Sequence, residues 1–258
     1  MIPPVAPPVI APAPIADSAP AEPPACATHL RDGTCLPAGF KTPGGIAWVG
    51  IGDDRWMTRT EVTAAEYAAC VAAGQCDARQ VGRAQATATR TAVDKGCNYG
   101  AADRGQHPMN CVSQAEAATF CAWQGGALPT TDDWEMETLD GRAHRTHPWG
   151  EADASCAVTV MGDTPKGGCG RGGTWPVCAQ AGDTSASGLC DMGGNVTEWL
   201  GDVPRDMIGK IPDDHAVLAG GAWHYDQAIA FDNGVYSAEA RTSRFTTVGF
   251  RCVRDAAF

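Results

Sequence analysis

Twelve cysteines among 258 residues constrain this chain more than any other feature of its sequence. The number is even, and several lie close together, as in Cys26 and Cys35, Cys70 and Cys76, or Cys169 and Cys178. None forms the paired C-x2-C spacing that holds zinc. The plain reading is a set of disulfides formed in an oxidising compartment, secreted, extracellular or at a periplasmic surface. Cys121 sits inside an apolar helical pattern, where a buried free thiol is the alternative.

The length allows one large domain or two small ones. Hydrophobic residues at 44% against 19% charged give enough apolar side chains for a core. The formal net charge of -11 repels phosphate backbones and argues against a nucleic-acid partner. No run reaches the ~18 apolar residues that a membrane span requires. The start, MIPPVAPPVIAPAP, has neither the basic region nor the unbroken apolar stretch of a signal peptide. Oxidised cysteines require export, so the expectation is a signal or lipoprotein leader removed from this sequence.

Residues 1–25 are mostly Pro, Ala, Val and Ile. Proline removes backbone donors and favours extended geometry, so this segment reads as a semi-rigid tether or as a tail without a role. Residues 26–45 read as a small loop clipped by Cys26–Cys35, and 46–258 as the main domain. Ile46–Ile51 and Arg55–Thr58 read as strands around a Gly-Asp-Asp turn.

Three helix starts share one device: Thr63 precedes Glu66, Ser113 precedes Glu116, and Thr130 precedes Asp133, each by three positions. A hydroxyl can cap an orphan N–H while the acid reaches back to the cap residue. Val62 and Tyr67 could staple the first helix, which should end near Gly74; the second should end near Gly125. Beyond Gly150 the helical signal disappears. The chain becomes rich in Gly, Asp, Thr, Trp and Cys, with short apolar pieces such as Ala216–Leu218 and Val248–Val253. No fixed-period repeat occurs.

The motifs, in order, are TEVTAAEYAAC, HPMNCVSQAEAATFCAWQGGALPTTDDWEMETL, HPWGE, GLCDMGGNVTEWLGD, VLAGGAW and VGFRC. Together they resemble the formylglycine-generating-enzyme, or sulfatase-modifying-factor, family along residues 46–254. The resemblance implies an α+β fold related to C-type lectins, mostly irregular, with short strands, about three helices and disulfide staples. It implies a bridge between Cys121 and Cys252. Proximity then suggests Cys26–Cys35, Cys70–Cys76, Cys97–Cys111, Cys156–Cys169 and Cys178–Cys190, although sequence alone cannot fix connectivity.

The family places a structural calcium at the motif that here reads GGNVTEW. Asn195, Val196 and Glu198 offer hard oxygens at a suitable spacing; alternatively Asn195 and Glu198 only satisfy turn backbone. Gly193 and Gly194 suit a tight turn there. A second family calcium site looks lost, because the stretch ASCAVTVMGD lacks the usual asparagine.

The family's oxidase chemistry uses two cysteines, about five positions apart, as Cu(I) ligands. Here Tyr225 and Ala230 stand at those positions, and no cysteine occurs between Cys190 and Cys252. Neither residue supplies the thiolate that Cu(I) requires. A second branch of the superfamily uses histidine-held iron and a helical domain that this chain lacks. His144 and His147 form a lone HRTH pair, more often solvated or structural than a metal site.

The segment 223–244 carries Trp223, His224, Tyr225, Asp226, Gln227, Phe231, Asp232, Asn233, Tyr236, Glu239, Arg241 and Arg244. Rigid rings beside adaptable polar groups resemble the chemistry of a binding surface. Relatives that diversify this segment use it so; otherwise it is loop filling over the core. The leading expectation is a non-catalytic extracellular ligand-binding or adhesion module whose partner is a cell-surface protein or glycan. The rivals are an oxidase with altered metal chemistry and a structural subunit of a surface appendage.

Overall fold

The computed structural model describes residues 45–52, 54–82, 96–138 and 146–255. It also gives the backbone of two short paired strands, β1 (Cys26–His29) and β2 (Cys35–Pro37). The tether of residues 1–25, the Cys26–Cys35 bridge and His144 lie outside the described residues.

Strands β3 (Trp48–Gly52) and β4 (Arg55–Thr58) pair antiparallel around the turn, where Asp54 adopts φ 60°. Aspartate tolerates this left-handed conformation better than most residues. Three helices follow: α1 (Ala64–Ala72), α2 (Gln114–Trp123) and α3 (Thr131–Thr138). Each begins as its sequence dictates. The Thr63 hydroxyl accepts from Glu66 N–H at 3.2 Å while Thr63 N–H donates to the Glu66 carboxylate at 2.8 Å. Ser113 and Glu116 repeat this exchange, and so do Thr130 and Asp133. Gly74 and Gly125, at φ 71° and 76°, take up the left-handed backbone just past α1 and α2.

The remaining strands are β5 (Thr197–Trp199), β6 (His215–Ala219), β7 (Tyr236–Ala240), β8 (Val248–Gly249) and β9 (Val253–Asp255). They complete a sheet of order β3-β4-β9 and a second of order β7-β6-β5-β8, in which β5 and β8 run parallel. Two apolar clusters form the core. The larger gathers Trp48, Trp56, Tyr67, Phe120, Trp199 and Phe250; the smaller gathers Met57, Trp134, Leu189, Leu200 and Val253.

So much irregular backbone needs covalent support, and five disulfides supply it among the described residues. They are Cys70–Cys76, Cys97–Cys111, Cys121–Cys252, Cys156–Cys169 and Cys178–Cys190. No described cysteine is free, so Cys121 is not a free buried thiol.

Gly193 and Gly194 act differently from a tight-turn pair. Neither has positive φ; Asn195 does, at 69°. A Cβ on Gly193 would lie 2.4 Å from the Trp149 ring, and one on Gly194 only 2.1 Å from Thr159 Oγ1. These glycines exist to let neighbouring chain come close.

Candidate ligand-binding site

The segment from Trp223 to Gln227 leaves the core on a scaffold of backbone hydrogen bonds. Trp223 N–H donates to Asn195 O at 2.9 Å, and the Trp223 indole donates to Thr246 O at 3.0 Å. A second loop, closed by Cys156–Cys169, runs alongside. Gly162 N–H donates to Tyr225 O at 2.7 Å and Gly168 N–H to Trp223 O at 2.6 Å. The approach requires glycine, since a Cβ on Gly162 would sit 2.5 Å from His224 O.

Between the two loops lies a cavity of about 570 Å³. One wall is Gly162, Thr164, Pro165 and Gly167; the other is His224, Tyr225, Asp226, Gln227 and Ala230. Thr164 Oγ1 is buried without a hydrogen-bond partner among the described residues. The positions where the family resemblance places copper ligands, Tyr225 and Ala230, thus both face this cavity. A phenol and a methyl group cannot bind Cu(I), and every described cysteine is bridged. The residues present do not fit a copper centre.

The structure divides the residues singled out between 223 and 244. His224, Tyr225, Asp226 and Gln227 line the cavity. Trp223 packs its ring against Gly167. Phe231 is a correction: at 1% exposure it is a core side chain, pressed against Gly221. The others bind the loop to the scaffold. Asn233 donates to Thr138 O at 2.9 Å, and Tyr236 OH donates to Glu135 at 2.7 Å. Arg241 donates to Gln114 Oε1 at 2.6 Å, and Arg244 grips Glu116 at 2.8 and 2.9 Å. Asp232 lies 3.5 Å from His147 Nδ1, which also contacts Phe231 O at 3.0 Å. His147 is buried and stacked on Trp149, a structural role.

The Glu198 carboxylate and the Asn195 amide oxygen are committed elsewhere. Arg251 donates from Nε to Glu198 Oε2 at 2.7 Å and from Nη2 to Glu198 Oε1 at 2.8 Å. Asn195 Oδ1 accepts from Trp175 N–H at 2.9 Å. The buried Val196 offers only its carbonyl. A dication beside this guanidinium would be repelled, so Asn195 and Glu198 do not fit a calcium site as they stand. Two side-chain oxygens here, Glu61 Oε1 and Thr197 Oγ1, are buried without a hydrogen bond among the described residues. Burial pushes the Glu61 carboxyl well above its ordinary value, and the charges of Asp191 and Glu198 add to this.

Residues 47–256 match the family model described as the sulfatase-modifying factor enzyme 1-like domain. The chain belongs to this family. Among relatives, inactive C-alpha-formylglycine-generating enzyme 2 of Bos taurus is 30% identical over 170 residues, covering 62% of this chain and 54% of the relative. Formylglycine-generating enzyme of Thermomonospora curvata is 34% identical over 179 residues, covering 59% and 57%. Hercynine oxygenase of Mycolicibacterium smegmatis is 32% identical over 139 residues, covering 46% and 31%. The chain thus spans about half the length of the formylglycine-generating relatives and less of the oxygenase. Among solved structures, PvdO from Pseudomonas aeruginosa superposes with TM-score 0.64 at 20% identity, covering 86% of this chain and all of that one. The variable protein 1 of Treponema denticola gives 0.55 at 17%, covering 78% and 84%. Both similarities establish the fold. Five disulfides, with no described helix long and apolar enough to cross a membrane, fit an extracellular or periplasmic member of the family.

Sequence reasoning missed the wall formed by Gly162, Thr164, Pro165 and Gly167. The spacing of Cys156 and Cys169 marks a clipped loop, but nothing local says that it docks on Tyr225.

Proposed function

We propose that this chain is a non-catalytic ligand-binding module, exported and acting at a cell surface, with the cavity beside Tyr225 as its site. One observation carries the reading. Where copper thiolates would stand, the cavity instead presents Tyr225 and Ala230, flanked by Asp226, Gln227 and Thr164. These are groups that hold a ligand without reacting with it. A relative named as inactive is consistent with a family scaffold that outlives its chemistry. The partner is a protein or glycan.

The rival is an oxidase with altered metal chemistry, favoured by the match to hercynine oxygenases and by His224 at the cavity. Elemental analysis of the purified chain, with oxygen uptake measured on a cysteine-containing sulfatase-type peptide, separates the two. The binding reading expects no stoichiometric copper or iron and no uptake. One equivalent of either metal with turnover overturns it. His224→Ala with Tyr225→Ala should weaken ligand capture while leaving the melting temperature unchanged.

A further inference from the structure

We infer that the cavity beside Tyr225 takes a primary ammonium group, presented as a lysine side chain of a peptide or protein. The inference rests on the binding reading and deepens it by naming the ligand's chemistry. The lining contains one carboxylate, Asp226, and no lysine or arginine. Asp226 has no ion pair among the described residues, and neither Tyr225 OH nor the Gln227 amide has a hydrogen-bond partner there. Lys166, on the same loop as Thr164, is exposed and lies outside the lining. Arg171 is held over the Trp175 ring, 3.5 Å from its centroid. No lysine or arginine of the lining therefore answers the Asp226 charge, and the only other titratable neighbours in the lining are His224 and Tyr225.

The second observation is Thr164 Oγ1. A buried hydroxyl with no partner has given up water without a replacement bond, and a donor that reaches it recovers part of that loss. An ammonium brings three donors and no acceptor, and a carboxylate, a hydroxyl and a phenol are oxygen acceptors that suit it. Pro165 and Ala230 offer apolar surface for a methylene stem, as lysine requires. The volume of about 570 Å³ exceeds one side chain and leaves room for flanking peptide. The net charge of -11 favours approach of a cation and opposes an anion.

The test is calorimetric titration of the full chain with end-capped Gly-Lys-Gly, its Nε-acetyl form, the norleucine and glutamate analogues, free putrescine and a neutral trisaccharide. The lysine peptide should bind at least tenfold more tightly than the acetylated, norleucine or glutamate forms. Its affinity should fall as salt rises. Asp226→Asn should cost about tenfold and Thr164→Val about fivefold. Asp206→Asn, the same charge change at an exposed site remote in sequence, should cost nothing. Melting curves identify any variant that fails to fold. Putrescine binding as well as the lysine peptide would retain the ammonium but remove the peptide. Equal binding of the lysine and acetylated peptides, or of none of the probes, overturns the inference. Tyr225-dependent capture of the trisaccharide or the glutamate peptide would overturn it too, yet leave the binding-module reading standing.

Discussion

Arg251 and Glu198 form a two-point ion pair, Nε to Oε2 at 2.7 Å and Nη2 to Oε1 at 2.8 Å, with both side chains essentially sealed from solvent. Arg251 also donates to Cys190 O at 2.9 Å. It therefore links the strand β5, the Cys190 backbone that leads into GGNVTEW and the chain entering β9. Burial works against its charge, but Glu198 outweighs this and holds the guanidinium firmly protonated.

Breaking this pair from one side strands a buried charge. Glu198→Gln should lower unfolding free energy by about 3–5 kcal/mol, and Arg251→Met by a similar amount. The double variant with both replaced by Met should be milder than the two single costs added together. Urea denaturation measures all three. Because the guanidinium already neutralises Glu198, a chelator should leave the melting temperature of the unaltered chain unchanged.

Cys121–Cys252 spans 131 residues, whereas Cys70–Cys76 spans 6. Loop-closure entropy makes the long bridge worth about 4–5 kcal/mol and the short one less. Paired serine substitutions at 121 and 252 should therefore destabilise more than the same change at 70 and 76. Burial adds to the contrast, since Cys121 and Cys252 are both fully buried. Thermal unfolding under non-reducing conditions ranks them.

The capping acids set the acid limit. Burial alone would raise the Glu116 and Asp133 carboxyls, but hydrogen bonds from Arg244 and Arg55, with those of their cap residues, hold both below the ordinary value. The unfolded chain then binds more protons, so stability is fully present above about pH 5 and lost as pH falls through the folded values. Glu116→Gln and Asp133→Asn should each lower stability at neutral pH and flatten the acid limb of a melting-temperature profile.

Asp191 runs the other way. Burial, reinforced by the charge of Asp183, pushes its carboxyl up to about 7. The folded chain binds the extra proton here, so this group's contribution falls as pH rises from about 4 to 7. Asp191→Asn should remove that slope. Asparagine also tolerates the φ of 56° at this position.

Gly194 touches Thr159 and the Val160 backbone, and there is no room for a methyl group. Gly194→Ala should cost about 1–3 kcal/mol by overpacking. Gly74→Ala, with open space around it, is limited by its φ of 71° alone and should cost less. Chemical denaturation of the two variants compares them.

What could be read from the sequence was local or covalent. Thr63, Ser113 and Thr130 each name a helix start because the partner acid is three residues away. Short spans suggested the bridges Cys156–Cys169 and Cys178–Cys190 without fixing them, and the fold forms both. What could not be read was long-range. Arg251 meets Glu198 across 53 residues and Arg55 meets Asp133 across 78, with no pattern between them. Phe231 looked like a contact side chain because an irregular loop has no period to show which residues turn inward. Only the fold shows that Thr164 faces Tyr225.

The segment that carries Phe250, Arg251, Cys252 and Val253 supplies side chains to both apolar clusters, to the buried ion pair and to the longest disulfide. It runs from the end of β8 into β9, which each add a strand to one of the two larger sheets. Without this segment, helix α2 has no partner for its sulfur and the Glu198 carboxylate has no counter-ion. A single change here is therefore felt at once in both apolar clusters, in the ion pair and in the covalent tie to α2.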